Sequence, residues 1–121
     1  MLTLSSAHHL WLYREAVDFR KGFDGLSGIV RDQMGRDPLS GEAFIFLNRK
    51  QDRMKLLVWE RGGFVLWYKR LEAGRFSFEA GQSGDMQMSY PDLVLLIEGI
   101  EKQSIHQKKR YKKEKKSSSI Y

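Results

Sequence analysis

The stretch Ala43–Arg70, "AFIFLNRKQDRMKLLVWERGGFVLWYKR", decides the fold. It divides into three apolar runs of strand length, "AFIFLN" over 43–48, "RMKLLVWE" over 53–60 and "FVLWYKR" over 64–70. β-Branched, aromatic and aliphatic side chains dominate each run, as suits a pleated surface. The Gly62-Gly63 pair between the second and third runs predicts a tight hairpin turn, because such turns need positive φ at their central residues. "RKQD", Arg49 to Asp52, is a short charged loop between the first and second. The three runs therefore predict an antiparallel meander. Both alternating faces are apolar: Phe44 and Phe46 oppose Ile45 and Leu47, and Leu57 and Trp59 oppose Leu56 and Val58. A sheet with one wet face would alternate apolar with polar, so at least the middle of this one is expected to be covered on both sides, with helices as the cover, or to present aromatics for binding.

Upstream, "LWLYRE" (10–15) reads as a first strand, and then the period changes. Phe19, Phe23, Leu26, Val30 and Met34 recur at four, three, four and four, which is one face of a helix. Asp18 stands where it could cap that helix, and Gly35 followed by Pro38 should end it. "DPLSGE", Asp37 to Glu42, is a turn. Gly22, Gly25 and Gly28 fall inside the helical pattern, and neither a Walker loop nor a dinucleotide fingerprint is present. The period runs through them, so they are expected to form a groove where a strand of the meander approaches closely. Arg20 and Lys21 would then occupy the first turn, where cations oppose the helix dipole; an anion such as a DNA phosphate would relieve that conflict.

Downstream, "FEAGQSGD" (78–85) reads as a mobile loop, followed by a strand-like "MQM". Ser89-Tyr90-Pro91-Asp92 then opens a helix, as a Ser-x-x-Asp box ahead of Leu93, Val94, Leu96, Ile97 and Ile100, with Gly99 near its end. The fold class is α+β: a small antiparallel β-meander packed against a glycine-bearing N-terminal helix and a C-terminal helix. Residues 1–101 form one domain, and 102–121 a disordered basic tail.

Charge sharpens this division. The chain of 121 residues carries a net +6, yet residues 102–121 hold eight lysines and arginines against Glu114, or +7, and leave the body at −1. Within the body, residues 49–75 carry eight cations against three carboxylates, a local +5. The absence of cysteine excludes a disulfide framework, a thiolate metal site and a cysteine nucleophile, and agrees with a cytoplasmic protein. The longest aliphatic stretch, Leu93 to Ile97, is far shorter than the roughly 20 residues that span a bilayer, and no leader pattern opens the chain.

Catalytic chemistry finds little support. His8 and His9 are adjacent and His106 lies in the tail, a spacing that does not bring two imidazoles to one ion; no metal or other cofactor is expected. No serine sits in a nucleophile elbow. Asp18, Asp24, Asp32 and Asp37 could in principle converge on metal ions, but as a cap, a turn residue and a polar helix face they need no such role. The chain is not expected to be an enzyme. The basic-aromatic segment instead suggests a β-ribbon that touches DNA phosphates, with an aromatic side chain stacking on bases. The candidate contacts are Arg20, Lys21, Arg49, Lys50, Arg53, Lys55, Lys69, Arg70 and Arg75.

"RKGFDGL", "DP-x-SG", "DR-x-K-x-L-x-W", "YKRLE-x-GRF" and the later "LLIEGI" together resemble the TnpB-type accessory protein, the second open reading frame product, of the IS-sixty-six family of bacterial insertion sequences. The resemblance covers Val17 to Ile100, and the lysine-rich tail extends past the ending it implies. It implies a small non-catalytic protein encoded beside a separate transposase and needed for efficient transposition. The expected partners are DNA at the element ends and the transposase of the same element. The alternative is a protein-interaction subunit that recruits or stabilises the transposase without contacting DNA.

Overall fold

The structure, a computed structural model, describes residues 9–77 and 85–98. Within them the chain runs β1 Leu10–Tyr13, α1 Phe23–Asp32, β2 Ala43–Leu47, β3 Arg53–Glu60, β4 Gly63–Arg70, β5 Asp85–Met88 and α2 Tyr90–Ile97. Of the loop expected over 78–85, residues 78–84 lie outside the described residues and Asp85 instead opens β5; Gly99 as a helix end and the basic tail also lie outside them.

The five strands form one mixed sheet in the order β4-β3-β2-β1-β5. The predicted meander is its β2-β3-β4 half, with Ala43 opposite Val58 and Glu60 opposite Gly63. Beyond it, β1 lies parallel to β2, Leu10 beside Ala43, which makes the connection carrying α1 a crossover. β5 closes the far side antiparallel to β1, Leu10 opposite Met88. The class is therefore α+β, and the sheet is wider than the meander.

The apolar pattern on both strand faces corresponds to two cores. Leu26 and Val30 of α1 and Met34 beyond it meet Tyr13, Val17, Phe44, Phe46 and Leu57 on one face. Leu93 and Leu96 of α2 meet Leu10, Leu12, Ile45, Leu56, Val58 and Phe76 on the other. Central β2 is buried at every position. Each large side chain buried there contributes about 1.5–3 kcal/mol. Ser89 caps α2 as its sequence box predicts, its hydroxyl accepting the Asp92 amide at 3.2 Å, with Pro91 in the first turn. No helix among the described residues is long and apolar enough to cross a membrane.

The first helix departs from its predicted form. It starts at Phe23 rather than Phe19, with Gly22 at its N-cap and no side-chain cap. Asp18 caps a separate turn, where its carboxylate accepts the Arg20 amide at 2.9 Å and its carbonyl accepts the Lys21 amide at 3.1 Å. Arg20 and Lys21 thus precede the helix, and the first turn carries Asp24, the charge the dipole favours. The groove is absent too. A Cβ on Gly25 would meet only the Lys21 side chain, one on Gly28 only the Arg31 guanidinium, and one on Gly22 nothing within 4 Å, so no strand backbone approaches these glycines. Leu26 and Val30, one turn apart, seat the helix instead.

The β3-β4 turn falls one residue earlier than the glycine pair suggests. Arg61 and Gly62 take positive φ, +49° and +83°, while Gly63 is already the first residue of β4. Gly62→Ala should therefore cost about 1 kcal/mol in urea denaturation, whereas Gly63→Ala, with nothing within 4 Å of its Cβ, should cost markedly less. Equal losses would return the turn to the glycine pair.

Candidate nucleic-acid interface

The turn position sets the cross-strand register, and the register distributes the cations. On β3 and β4, Arg53, Lys55, Tyr68 and Arg70 project to the α1 side, with Arg53 opposite Arg70 and Lys55 opposite Tyr68. Met54 and Lys69 form the pair between them and project to the α2 side.

Three backbone links gather further basic segments at the same end of the sheet. The Leu71 amide donates to Asp52 at 2.8 Å and the Phe76 amide to Gln51 at 2.7 Å, folding 71–76 onto the loop that bears Arg49 and Lys50. The Val17 amide donates to Leu47 at 3.0 Å, bringing the Asp18–Gly22 turn alongside on the α1 side. That loop is fixed by Asn48, whose amide group donates to Asp52 at 2.7 Å and whose side-chain oxygen accepts the Arg53 amide at 3.0 Å. The Asn48 hydrogen bond holds the Asp52 carboxyl below its usual range.

Seven of the nine candidate cations belong to this end: Arg20, Lys21, Arg49, Lys50, Arg53, Arg70 and Arg75. All but Arg53, which is half-buried, are exposed. The carboxylates among them are engaged locally. Arg20 makes a two-pronged contact with Asp18, at 2.6 and 3.0 Å, and this hydrogen bonding holds the Asp18 carboxyl down at about 2. Arg70 donates to Glu72 at 2.9 Å. Such exposed pairs contribute little to stability and release their cations readily. Arg53 donates to the Tyr68 hydroxyl at 3.2 Å, which turns it away from the like charge opposite.

The other two candidates are engaged inside the molecule. Lys55 is 5 % exposed; its Nζ donates to the carbonyls of Phe19 at 2.9 Å and Lys21 at 2.8 Å. The ammonium also lies 4.9 Å from the Phe19 ring centre and 5.1 Å from that of Tyr68, within cation–π range of both. Lys69 donates to the carbonyl of Ile97 at 2.8 Å and so closes the C-terminal end of α2, where a cation suits the dipole. Neither ammonium is presented to a phosphate. Lys55 instead holds the carbonyls on either side of Arg20 and thereby positions the Asp18–Gly22 turn.

Two exposed aromatic residues on this face are not among the contacts expected from the sequence. Tyr68 is 47 % exposed, and its ring takes Phe19 edge-on with centroids 5.8 Å apart. Phe23, expected in the core, is also 47 % exposed and stacks on Phe64 at 6.5 Å and 19°. For Tyr68 the signal is the register: a turn at Gly62-Gly63 would put Arg70 opposite Lys55, and moving it back one residue brings Tyr68 there.

Among the described residues no cluster of three or more histidines, aspartates or glutamates could hold a metal ion. His9 faces Gln87, Nδ1 to Nε2 at 3.5 Å.

Comparison with known proteins adds the family. No solved structure matches the chain. Among curated proteins it is 32 % identical over 101 residues to the uncharacterized protein y4jC of Sinorhizobium fredii (strain NBRC 101917 / NGR234), an alignment covering 84 % of this chain and 86 % of that one. It is 31 % identical over 102 residues to the uncharacterized protein y4hO of the same strain, covering 84 % and 88 %. The family model described as "IS66 Orf2 like protein" matches residues 8–107, which takes in the whole sheet, both helices and every cation of the candidate interface. The motifs of the glycine-bearing helix and the meander thus mark the family they resemble: the chain belongs to the IS66 Orf2-like family, a family of insertion-sequence accessory proteins and not of known enzymes.

Proposed function

We propose that this protein is a non-catalytic accessory factor for transposition that binds DNA at the ends of its insertion sequence and there assists the transposase. The observation that carries the reading is the convergence of Arg20, Lys21, Arg49, Lys50, Arg53, Arg70 and Arg75 on one end of the sheet, from three segments distant in sequence. Three carboxylates, Asp18, Asp52 and Glu72, accompany them, and each already has a neighbouring partner. Cations brought together this way repel one another in the free protein, and a polyanion removes that cost while releasing its own counterions.

Arg49, Lys50 and Arg75 provide the test, because they are exposed and lie outside both cores. In the full chain, replacing all three by alanine should weaken binding to end-sequence DNA, measured by fluorescence anisotropy. The slope of log affinity against log salt should become shallower by about 2.7 if each holds one phosphate. The basic tail is present in parent and variant alike, so the difference reports on the folded body. An unchanged slope with unchanged affinity would remove this face as a DNA contact. Retained co-purification with the transposase would then favour the interaction subunit.

A further inference from the structure

We propose that the α1-side face of the β3-β4 hairpin is a platform for unpaired DNA bases, with Phe23 and Tyr68 as stacking rings and Lys21, Arg53 and Arg70 as the flanking phosphate contacts. The inference rests on the DNA-binding reading and deepens it by naming the form of DNA.

A solitary exposed aromatic needs no explanation, but these two share one face with the cations and are held by other rings. Phe23 is backed by Phe64, and Phe64 is met edge-on by its cross-strand partner Trp59, with centroids 5.0 Å apart at 78°. Tyr68 is fixed by the Arg53 guanidinium at its hydroxyl, by the edge of Phe19 and by the Lys55 ammonium. Rings already held in place lose little freedom when a base stacks on them. Charge complementarity selects the occupant: Lys21, Arg53 and Arg70 lie at the Tyr68 end of the row, and the carboxylates beside them, Asp18 and Glu72, are each engaged by an arginine.

Spacing selects the single strand. Phe64, which carries Phe23, and Tyr68 stand four residues apart on one face of β4, roughly 13 Å at about 3.3 Å per residue. Stacked bases in a duplex strand rise only about 3.4 Å, and their faces are covered by their neighbours. Rings seated at strand positions that far apart can each take a base only from a strand whose bases have unstacked, while the cations track its backbone.

The test compares a labelled single strand of about 16 nucleotides with the blunt duplex of the same sequence, using the full chain and anisotropy at constant salt. Phe23→Ala and Tyr68→Leu should each weaken single-strand binding roughly five- to hundredfold, and should leave duplex binding within about twofold. Tyr68→Phe, which keeps the ring, should bind the single strand as the parent does. Far-UV circular dichroism checks folding; should Tyr68→Leu fail to fold, Phe23→Ala decides, since that side chain is exposed and alanine suits a helix. If both variants bind the single strand like the parent while the parent also binds duplex, the platform is overturned and the DNA-binding reading survives. If the parent binds neither form at low salt, both are overturned.

Discussion

Lys55→Met should destabilise the protein by about 2–4 kcal/mol, a fall in thermal midpoint of roughly 8–16 °C for a domain near this size. Methionine keeps the length and apolar body of the side chain, so the substitution removes the ammonium alone. What remains are the Phe19 and Lys21 carbonyls, which now accept hydrogen bonds from Lys55 at 2.9 and 2.8 Å and would lose that donor. Replacing a buried ion pair by apolar groups is often neutral because both charges leave together. Here only one partner leaves, and unpaired carbonyls carry the desolvation penalty. A midpoint within about 1 °C of the parent would mean that water replaces the ammonium without cost and that the turn does not depend on Lys55.

Phe76→Ala should cost about 3–5 kcal/mol, with the urea midpoint lowered and the slope of the transition unchanged. Phe76 is fully buried although it lies in the irregular segment beyond β4, which ends at Arg70, and it belongs to the core that Leu93 and Leu96 of α2 cover. Its amide is also the 2.7 Å link to Gln51 that lays the 71–76 segment against the Arg49-Lys50 loop. Truncation would leave a cavity beneath α2 and loosen the segment that carries Arg75, so DNA affinity should fall in parallel with stability. Phe76→Leu, which preserves most of the volume, should lose less than about 1.5 kcal/mol. Near-equal stability of the alanine variant and the parent would show that this ring is not part of the core.

The strands of the meander and the cap of α2 were legible because their causes are local. Ser89 and Asp92 lie within one turn of each other, and the bounds of β2 and β3 follow where apolar runs meet charged loops. The start of α1 was not legible. Phe19 fits the helical period but belongs to the preceding turn, where its ring packs against Tyr68 and its carbonyl accepts from Lys55, thirty-six residues away. Periodicity records spacing and cannot tell a helical position from a turn that happens to keep the same interval. The nine candidate cations show the same limit: composition marked a basic middle third, but only packing separated the ammonium groups of Lys55 and Lys69 from the exposed charges around them.

By itself the sequence determined the α+β class, the antiparallel meander, two-sided burial at its centre in β2 and β3 and the family, since all of these rest on patterns within a few residues or on recognisable motifs. Only the tertiary structure decided that β1 runs parallel to β2, that β5 pairs on its far side, that seven cations gather at one end of the sheet and that two open rings stand on its α1 side. Those facts depend on pairing and register between distant segments. A shift of one residue at the Arg61-Gly62 turn moves every cross-strand partner by two, and the local chemistry of Gly62-Gly63 was compatible with either position.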